Sequence, residues 1–525
     1  MPLELYVPKK SVMFAKHSNP SVLRNSVWNG IAAAVPILLL IFTTPIYLNF
    51  LGQDKFGLYM LLAAVTAPFD VLSAGIAQAT IKHLAAWLPD GRLDDSRQML
   101  RLNILLNLTA SFIAVGTLFL ISPFLAKSLF RIAETMQGDA MVSFRLAGVL
   151  WSAKLIGATV ASVTTARQNF RLLSIVQMAS MVMLYLGGLP VVMRFQSVAS
   201  LQVWSIFTSL CVIVFWIPEI VRMFGWRVLL PGFDRLSFQR SFRFSMWQML
   251  NAFLSIISQQ ADRIFVGALL GTAASAVLGI AVGLQQRAVT LSWSLFGSLF
   301  PALSKHSETN PRETENIFFS KGPVIMLASC LMLGTGVIFS QPFCQVWLKP
   351  EQAREVAPLL ALLFFIGIFG LPYALVLQLI LALGRTRILF IGNIAFALVG
   401  GTASWLFITH YGLIGAAFGP FLGLLAAALP LHFWICRFHM QSGGGTLRRM
   451  WSIYSLPVIS CGTLLCLAAI GLCLPPPTQL GQFVRSLIAL PVFVALVVQL
   501  DFFFSTHRKA YKNLICTACK VLRRF

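Results

Sequence analysis

Residues 28–48 read WNGIAAAVPILLLIFTTPIYL and contain no charged side chain. A helix of this length rises about 30 Å, which matches the hydrocarbon thickness of a bilayer. Runs of this kind recur along the chain, and of its 525 residues 58% are hydrophobic and 11% charged, whereas soluble proteins average about 25% charged. The runs are continuous and twice as long as the alternating strands of a membrane barrel. The sequence therefore predicts an all-α polytopic membrane protein.

Fourteen membrane spans are predicted, and the even number places both chain termini on one side of the membrane. Roughly three quarters of the 40 Lys and Arg residues fall in the tails and loops on that side, which identifies it as cytoplasmic. The net charge of +23 is thus an orientation signal and an attraction to anionic headgroups rather than a nucleic-acid signal. The spans are placed near 28–48, 57–81, 102–126, 141–163, 172–193, 199–221, 243–266, 274–299, 323–344, 357–381, 388–408, 413–436, 452–474 and 483–503.

The chain divides into two similar halves. The Leu-Gly pair at 51–52 recurs at 270–271, and the Ala-x-x-Lys-His motif at 79–83 recurs at 302–306. Internal repeats of this kind are typical of secondary transporters. The predicted organisation is a cytosolic tail (1–27), an N-lobe of six spans (28–222), a cytosolic inter-lobe loop (223–242), a C-lobe of six spans (243–436), two further spans (452–503) and a basic cytosolic tail (504–525).

Prolines and spaced glycines predict the shape of the helices. Pro36, Pro45 and Pro372 are among many prolines inside spans, where the missing N–H bends or breaks a helix. The glycine series Gly415, Gly419 and Gly423 has the spacing of a close helix contact. We expect this contact to pack helices within one chain.

No enzyme chemistry is indicated. The longest loops are about twenty residues, too short to fold as a catalytic domain, and no phosphate-binding loop occurs. The seven histidines show no metal-ligand clustering, and Cys516 and Cys519 form an isolated pair, favoured as ordinary residues over a zinc site. We therefore predict neither cofactor nor metal.

Three ionisable residues are predicted near the middle of the bilayer: Asp70, Lys154 and Arg287. Such residues cost about 2.5–3.5 kcal/mol each and are usually functional. Their net positive charge favours an anionic substrate, with Arg287 suited to bidentate phosphate contact and Lys154 acting as a point charge. Asp70 is a candidate for binding a coupling proton or sodium ion. The alternative is an Asp70–Lys154 pair that only locks two helices.

Polar residues extend this candidate site. A stripe of polar residues in the seventh span keeps largely to one helical face, and we predict that this face either lines a central cavity or joins helices. Gln285 and Gln286 lie next to Arg287. Several cations lie at the predicted cytoplasmic mouth of the cavity. The stripe comprises Gln248, Asn251, Ser255, Ser258, Gln259 and Asp262, and the mouth comprises Arg24, Lys82, Arg167, Arg171 and Lys305. The alternative is that each of these cations only sets the orientation of the chain in the membrane.

Several glycine and aromatic patterns recur along the chain: YLNFLGQDKFGLY at 47–59, DRIFVG at 262–267, FPALS at 300–304 and YGLIGAA at 411–417. Together with the fourteen spans, they resemble the Wzx-type oligosaccharide flippases of the multidrug/oligosaccharidyl-lipid/polysaccharide exporter superfamily. One departure is the Val-Leu-Gly at 277–279, where many relatives have Gly-Leu-Tyr.

The resemblance implies two six-helix lobes, alternating access, and export of undecaprenyl-diphosphate-linked oligosaccharide across a bacterial inner membrane for O-antigen or exopolysaccharide assembly. It implies as partners the lipid-linked substrate, membrane lipids, a polysaccharide polymerase and a chain-length regulator. The alternatives are a cation-coupled multidrug exporter of the same superfamily and a non-transporting membrane scaffold of a glycan-assembly complex.

Overall fold

The computed structural model describes residues 22–70, 80–235 except 82, 86, 89 and 168, then 238, 253–254, 256, 258–300, 303–304, 311–383, 386–438, 446–472 and 479–503. All regular structure in these residues is helical. This confirms the predicted all-α class, which follows because a chain in lipid satisfies its backbone hydrogen bonds within each helix.

Helices α1 to α5 occupy the first half of the chain. A turn of 3₁₀-helix, Ala67–Phe69, follows α1, and a π-helical turn, Leu125–Leu129, extends α2. The bounds are α1 Val22–Thr66, α2 Leu93–Phe124, α3 Glu134–Ala166, α4 Phe170–Phe195 and α5 Val198–Phe224.

The second half begins with helical residues at 258–269 and continues with nine labelled helices. A π-helical turn, Phe396–Gly400, joins α10 to α11. The bounds are α6 Thr272–Gly297, α7 Pro311–Trp347, α8 Pro350–Phe369, α9 Leu371–Ala382, α10 Thr386–Ala395, α11 Gly401–Tyr411, α12 Gly415–Phe438, α13 Thr446–Leu472 and α14 Gln479–Phe503.

The chain separates into two compact units. Unit 1 takes Met1–Gly52, Thr66–Ser128 and Ala133–Ala252, and unit 2 takes Gln53–Val65, Leu129–Ile132 and Phe253–Phe525. Two short stretches of the predicted N-lobe thus belong to unit 2. The lobe boundaries drawn from the sequence stay a prediction.

Within the described residues, 11 helical stretches are long and apolar enough to cross a membrane. The stretches Val35–Phe69 and Ile388–Ala428 each contain all or part of two predicted spans, and the predicted span at 243–266 is described only in part. Glycines interrupt the two long stretches: Gly52 has φ 77° and Gly412 has φ 61°, a region that side chains with a Cβ rarely adopt. The predicted and observed spans therefore differ in how they are divided rather than in where the apolar helices lie.

The predicted span at 357–381 is broken. Helix α8 ends at Phe369, and α9 begins at Leu371 with Pro372 in its first turn. A proline lacks the N–H that would continue the preceding helix, but it suits the start of a new one. The expected proline effect is confirmed here as a helix break.

The glycine series in α12 makes close contacts inside the chain, as expected. A Cβ on Gly415 would lie 2.0 Å from the Phe407 carbonyl oxygen, and one on Gly419 would lie 1.8 Å from Ser404 Oγ. Gly423 faces the backbone of Gly400. These glycines allow α12 to approach α11 and the turn before it.

The residues that follow the first Leu-Gly junction meet the start of α6 within unit 2. Asp54 Oδ1 accepts a hydrogen bond from Thr272 Oγ1 at 2.7 Å, and Gln53 Nε2 donates to Glu355 Oε2 at 3.1 Å. A Cβ on Gly57 would lie 1.7 Å from the Thr272 carbonyl oxygen. The residues after Gly52 therefore pack directly on the start of α6.

Candidate functional site

Asp70 follows the turn Ala67–Phe69, and an indole from α3 fixes its carboxylate. Trp151 Nε1 donates to Asp70 Oδ1 at 2.8 Å. The Trp151 ring is 4% exposed and packs on Phe69, with 5.5 Å between ring centroids. A hydrogen bond to a charged group is stronger than one between neutral groups, so Trp151 orients the carboxylate.

Lys154 lies one helical turn beyond Trp151 and has an exposed side chain. Its charge interacts with that of Asp70, but among the described residues Lys154 forms no ion pair or hydrogen bond. Whether the Asp70–Lys154 interaction only locks two helices stays a prediction.

In unit 2, α6 carries Arg287 on a half-buried surface. The structure gives this guanidinium no hydrogen bond or ion pair to any residue that it describes. The neighbouring Gln286 Oε1 accepts a hydrogen bond from Arg263 Nη2 at 3.2 Å. The side chain of Arg263 is therefore held at Gln286, the residue next to Arg287 on α6.

Arg263 was not among the charges predicted near the middle of the bilayer, yet it reaches the residue next to Arg287. It lies inside the helical residues 258–269, and its side chain reaches α6. The sequence shows Gln286 as a hydrogen-bonding residue beside Arg287. It does not show that Arg263 bonds to Gln286, because that contact depends on how the helix of residues 258–269 and α6 are rotated about their axes.

The described part of the polar stripe has two faces. Ser258 and Asp262, four residues apart, are buried at 7% and 5% exposure, and Asp262 Oδ1 accepts from the backbone N–H of Arg263. Gln259 is exposed and shares a face with Arg263. The stripe therefore has a buried side at Ser258 and Asp262 and a more accessible side with Gln259 exposed and Arg263 half-buried.

Gln285 and Gln286 diverge on α6. Gln286 faces Arg263, whereas Gln285 lies against α8, where a Cβ on Gly367 would come within 3.3 Å of Gln285 Nε2. Only Gln286 is thus shown beside an arginine.

Several predicted residues lie outside what the structure describes: Gln248, Asn251, Ser255, Lys82 and Lys305. Arg24 is on α1, but its side chain is outside the description. Of the other mouth cations, Arg167 Nη1 donates to Glu219 Oε1 at 2.6 Å. This ion pair joins α3 to α5 and accounts for Arg167 without a substrate.

Comparison with known proteins places the chain in a family. Residues 49–371 match the family model described as polysaccharide biosynthesis protein, which is more than half of the chain. The chain belongs to the polysaccharide biosynthesis protein family. A relative named "Putative O-antigen transporter" in Shigella flexneri is 21% identical over 426 residues, covering 79% of this chain and 97% of its own length.

Solved structures of other membrane proteins share the fold of this chain. A structure titled "Lipid II flippase MurJ, inward closed conformation" matches with a TM-score of 0.68 and 16% identity, covering 94% of this chain and 100% of its own. An inward-facing multidrug resistance transporter of the same exporter superfamily matches with a TM-score of 0.60 and 14% identity, covering 77% and 96%. The resemblance to Wzx-type flippases of this superfamily is confirmed by the family match, the Shigella relative and the shared fold.

Proposed function

We propose that this protein translocates undecaprenyl-diphosphate-linked oligosaccharide from the cytoplasmic to the outer leaflet of a bacterial inner membrane. Membership of a polysaccharide biosynthesis family and similarity to a protein named as an O-antigen transporter support this substrate class. Both termini are cytoplasmic in the proposal, and the protein transports its substrate without converting it. A polymerase and a chain-length regulator are the proposed protein partners.

The observation that carries the proposal is the surplus of cations on the membrane helices. Lys154, Arg263 and Arg287 stand against Asp70 and the buried Asp262, and Arg287 has no counter-charge among the described residues. A substrate diphosphate supplies the missing negative charge, and arginine matches phosphate oxygens with two parallel hydrogen bonds. These cations must attract the diphosphate without trapping it.

In the proposed cycle the diphosphate enters from the cytoplasmic side, the lobes alternate in access, and the polyprenyl chain stays in lipid. Gln259 hydrogen-bonds the headgroup, with Gln248 and Asn251 as further contacts and Arg24, Lys82 and Lys305 gathering it at the mouth. Asp70 is the proposed site of the coupling proton or sodium ion.

Single replacement of Lys154 and Arg287 by Ala tests the site. We expect surface glycan to fall about tenfold at equal protein level, because each lost charge-assisted phosphate contact is worth about 1.5–3 kcal/mol. Arg354→Ala is the matched control, since Arg354 is an exposed arginine in the first turns of α8.

The alternatives give different results. Unchanged glycan in both variants would remove the phosphate-site assignment and favour a scaffold. Lost resistance to cationic drugs with normal glycan would favour a multidrug exporter. Lipid-linked oligosaccharide retained in the inner leaflet is the result specific to a flippase.

A further inference from the structure

A short segment after α5, residues 225–235, is held firmly although it has only one turn of 3₁₀-helix, Trp226–Leu229. We call it the post-α5 loop; its sequence is GWRVLLPGFDR. Val228 is 1% exposed and joins the core cluster that contains Phe224. One side chain thus anchors the loop in unit 1.

Two arginines of α2 fix the loop's backbone. Arg97 Nε donates to the carbonyl of Phe224 at 2.9 Å, and Arg101 Nε donates to the carbonyl of Leu230 at 3.1 Å. The backbone N–H of Gly232 in turn donates to the carbonyl of Arg101 at 3.2 Å. The direction of the loop's outer side chains is therefore set by the fold.

Those outer side chains are large and apolar. Trp226 is 62% exposed, Phe233 66% and Leu230 47%. Leaving such side chains in water on a fixed loop is unfavourable, since each buried methylene is worth about 0.8 kcal/mol. The loop directly follows a membrane-length helix, so the apolar material nearest to it is the bilayer.

Basic residues accompany the apolar ones. Arg222, Arg227 and Arg235 are exposed, and none forms an ion pair with a residue that the structure describes. Arg227 Cζ lies 6.0 Å from the centroid of the Trp226 ring. Tryptophan prefers the membrane–water interface, and clustered arginines there attract anionic headgroups.

We propose that the post-α5 loop is a membrane-surface contact that binds anionic phospholipid, with Trp226, Leu230 and Phe233 inserted between lipids and Arg222, Arg227 and Arg235 on the headgroup phosphates. The proposal does not depend on the transported substrate. It assigns the positive charge of the post-α5 loop, and of Arg222 in the last turn of α5, to lipid recognition.

Quenching of tryptophan fluorescence by brominated lipids tests the proposal. The full chain and a Trp226→Phe variant are reconstituted in vesicles that contain brominated phosphatidylcholine, or an equal mixture of phosphatidylcholine and brominated phosphatidylglycerol. The difference between chain and variant isolates the Trp226 signal. We expect both brominated lipids to quench it, and phosphatidylglycerol to quench at least twofold more per brominated lipid.

Charge variants separate anionic recognition from simple insertion. The triple variant Arg222→Gln, Arg227→Gln, Arg235→Gln should lose the twofold preference. The matched variant Arg131→Gln, Arg194→Gln, Arg354→Gln, which changes exposed arginines elsewhere, should keep it. A Trp226 signal that neither lipid quenches would show that this face meets water or protein and would overturn the proposal, as would equal quenching by the two lipids in the unchanged chain.

Discussion

At the scale of single residues, the site depends on side chains that hold other side chains in place. Trp151 orients Asp70, and Gln286 holds Arg263. Both Trp151 and Gln286 are neutral hydrogen-bonding residues, which composition and charge alone do not distinguish from packing residues. Their roles follow from distance and direction.

Trp151→Phe tests the orienting role. Phenylalanine keeps most of the ring packing on Phe69 but removes the indole N–H, so Asp70 loses a charge-assisted hydrogen bond worth about 1.5–3 kcal/mol. We expect glycan export to fall about tenfold while the protein level stays normal. Trp405→Phe is the control, because Trp405 is 50% exposed; export that stays unchanged in Trp151→Phe would contradict the role.

Asp139 is a second residue whose effect is local. Its carboxylate accepts hydrogen bonds from Ser197 Oγ at 2.6 Å and from the backbone N–H groups of Val198 and Ala199 at 3.0 and 3.1 Å. Asp139 therefore caps α5 from another helix. A capping side chain contributes about 1 kcal/mol, and a carboxylate also favours the positive end of the helix dipole.

Asp139→Ala should lower the thermal unfolding temperature of the purified protein by about one degree, since the first N–H groups of α5 lose their acceptor and a loss of about 1 kcal/mol has a small effect in a chain of this length. Glu134→Ala, at an exposed position in the first turn of α3, is the comparison. Equal unfolding temperatures for the two variants would show that the cap contributes nothing measurable.

At the scale of elements, the two Leu-Gly junctions share a backbone conformation, and the residues that follow them pack together within unit 2. Gly52 and Gly271 have similar backbone angles, φ 77°, ψ 166° and φ 89°, ψ −173°. The helical residues that follow each junction pack on one another at Gly57. The repeat seen in the sequence is therefore also a contact in the structure.

Gly57→Ala should destabilise the protein by about 2 kcal/mol, because overpacking typically costs 1–3 kcal/mol and the opposing atom is a backbone carbonyl that cannot rotate away. Gly283→Ala is a matched control in α6, where a Cβ would meet nothing within 4 Å; it should be neutral or slightly stabilising. Similar unfolding temperatures for both variants would contradict the close approach.

At the scale of the whole molecule, the proposed alternating access requires some contacts to break in each cycle. The hydrogen bond between Asp54 and Thr272 joins residues 218 positions apart, one after each Leu-Gly junction. Both residues belong to unit 2, and we expect this contact to open, by a movement inside unit 2, when the proposed transport path opens outward. A covalent link there should stop the cycle.

The double variant Asp54→Cys, Thr272→Cys tests this with a short thiol cross-linker. Cross-linking should abolish glycan export, and a cleavable linker should restore it after reduction. Each single cysteine variant, treated in the same way, controls for modification of the native cysteines, among which Cys466 is exposed. Full export by the cross-linked protein would mean that this contact stays closed throughout transport.

The sequence by itself determined the fold class, the positions of the apolar helices and the candidate charges at Asp70, Lys154 and Arg287. These follow from local properties, since the length of an apolar run and the rarity of a charge within it can be read without knowing what lies opposite. Only the tertiary structure decided that Trp151 holds Asp70, that Arg263 reaches Gln286 and that Gly57 meets Thr272. A membrane helix is apolar around its whole circumference, so its pattern does not reveal its rotation; which side chains meet is settled by packing between helices that are far apart in the chain.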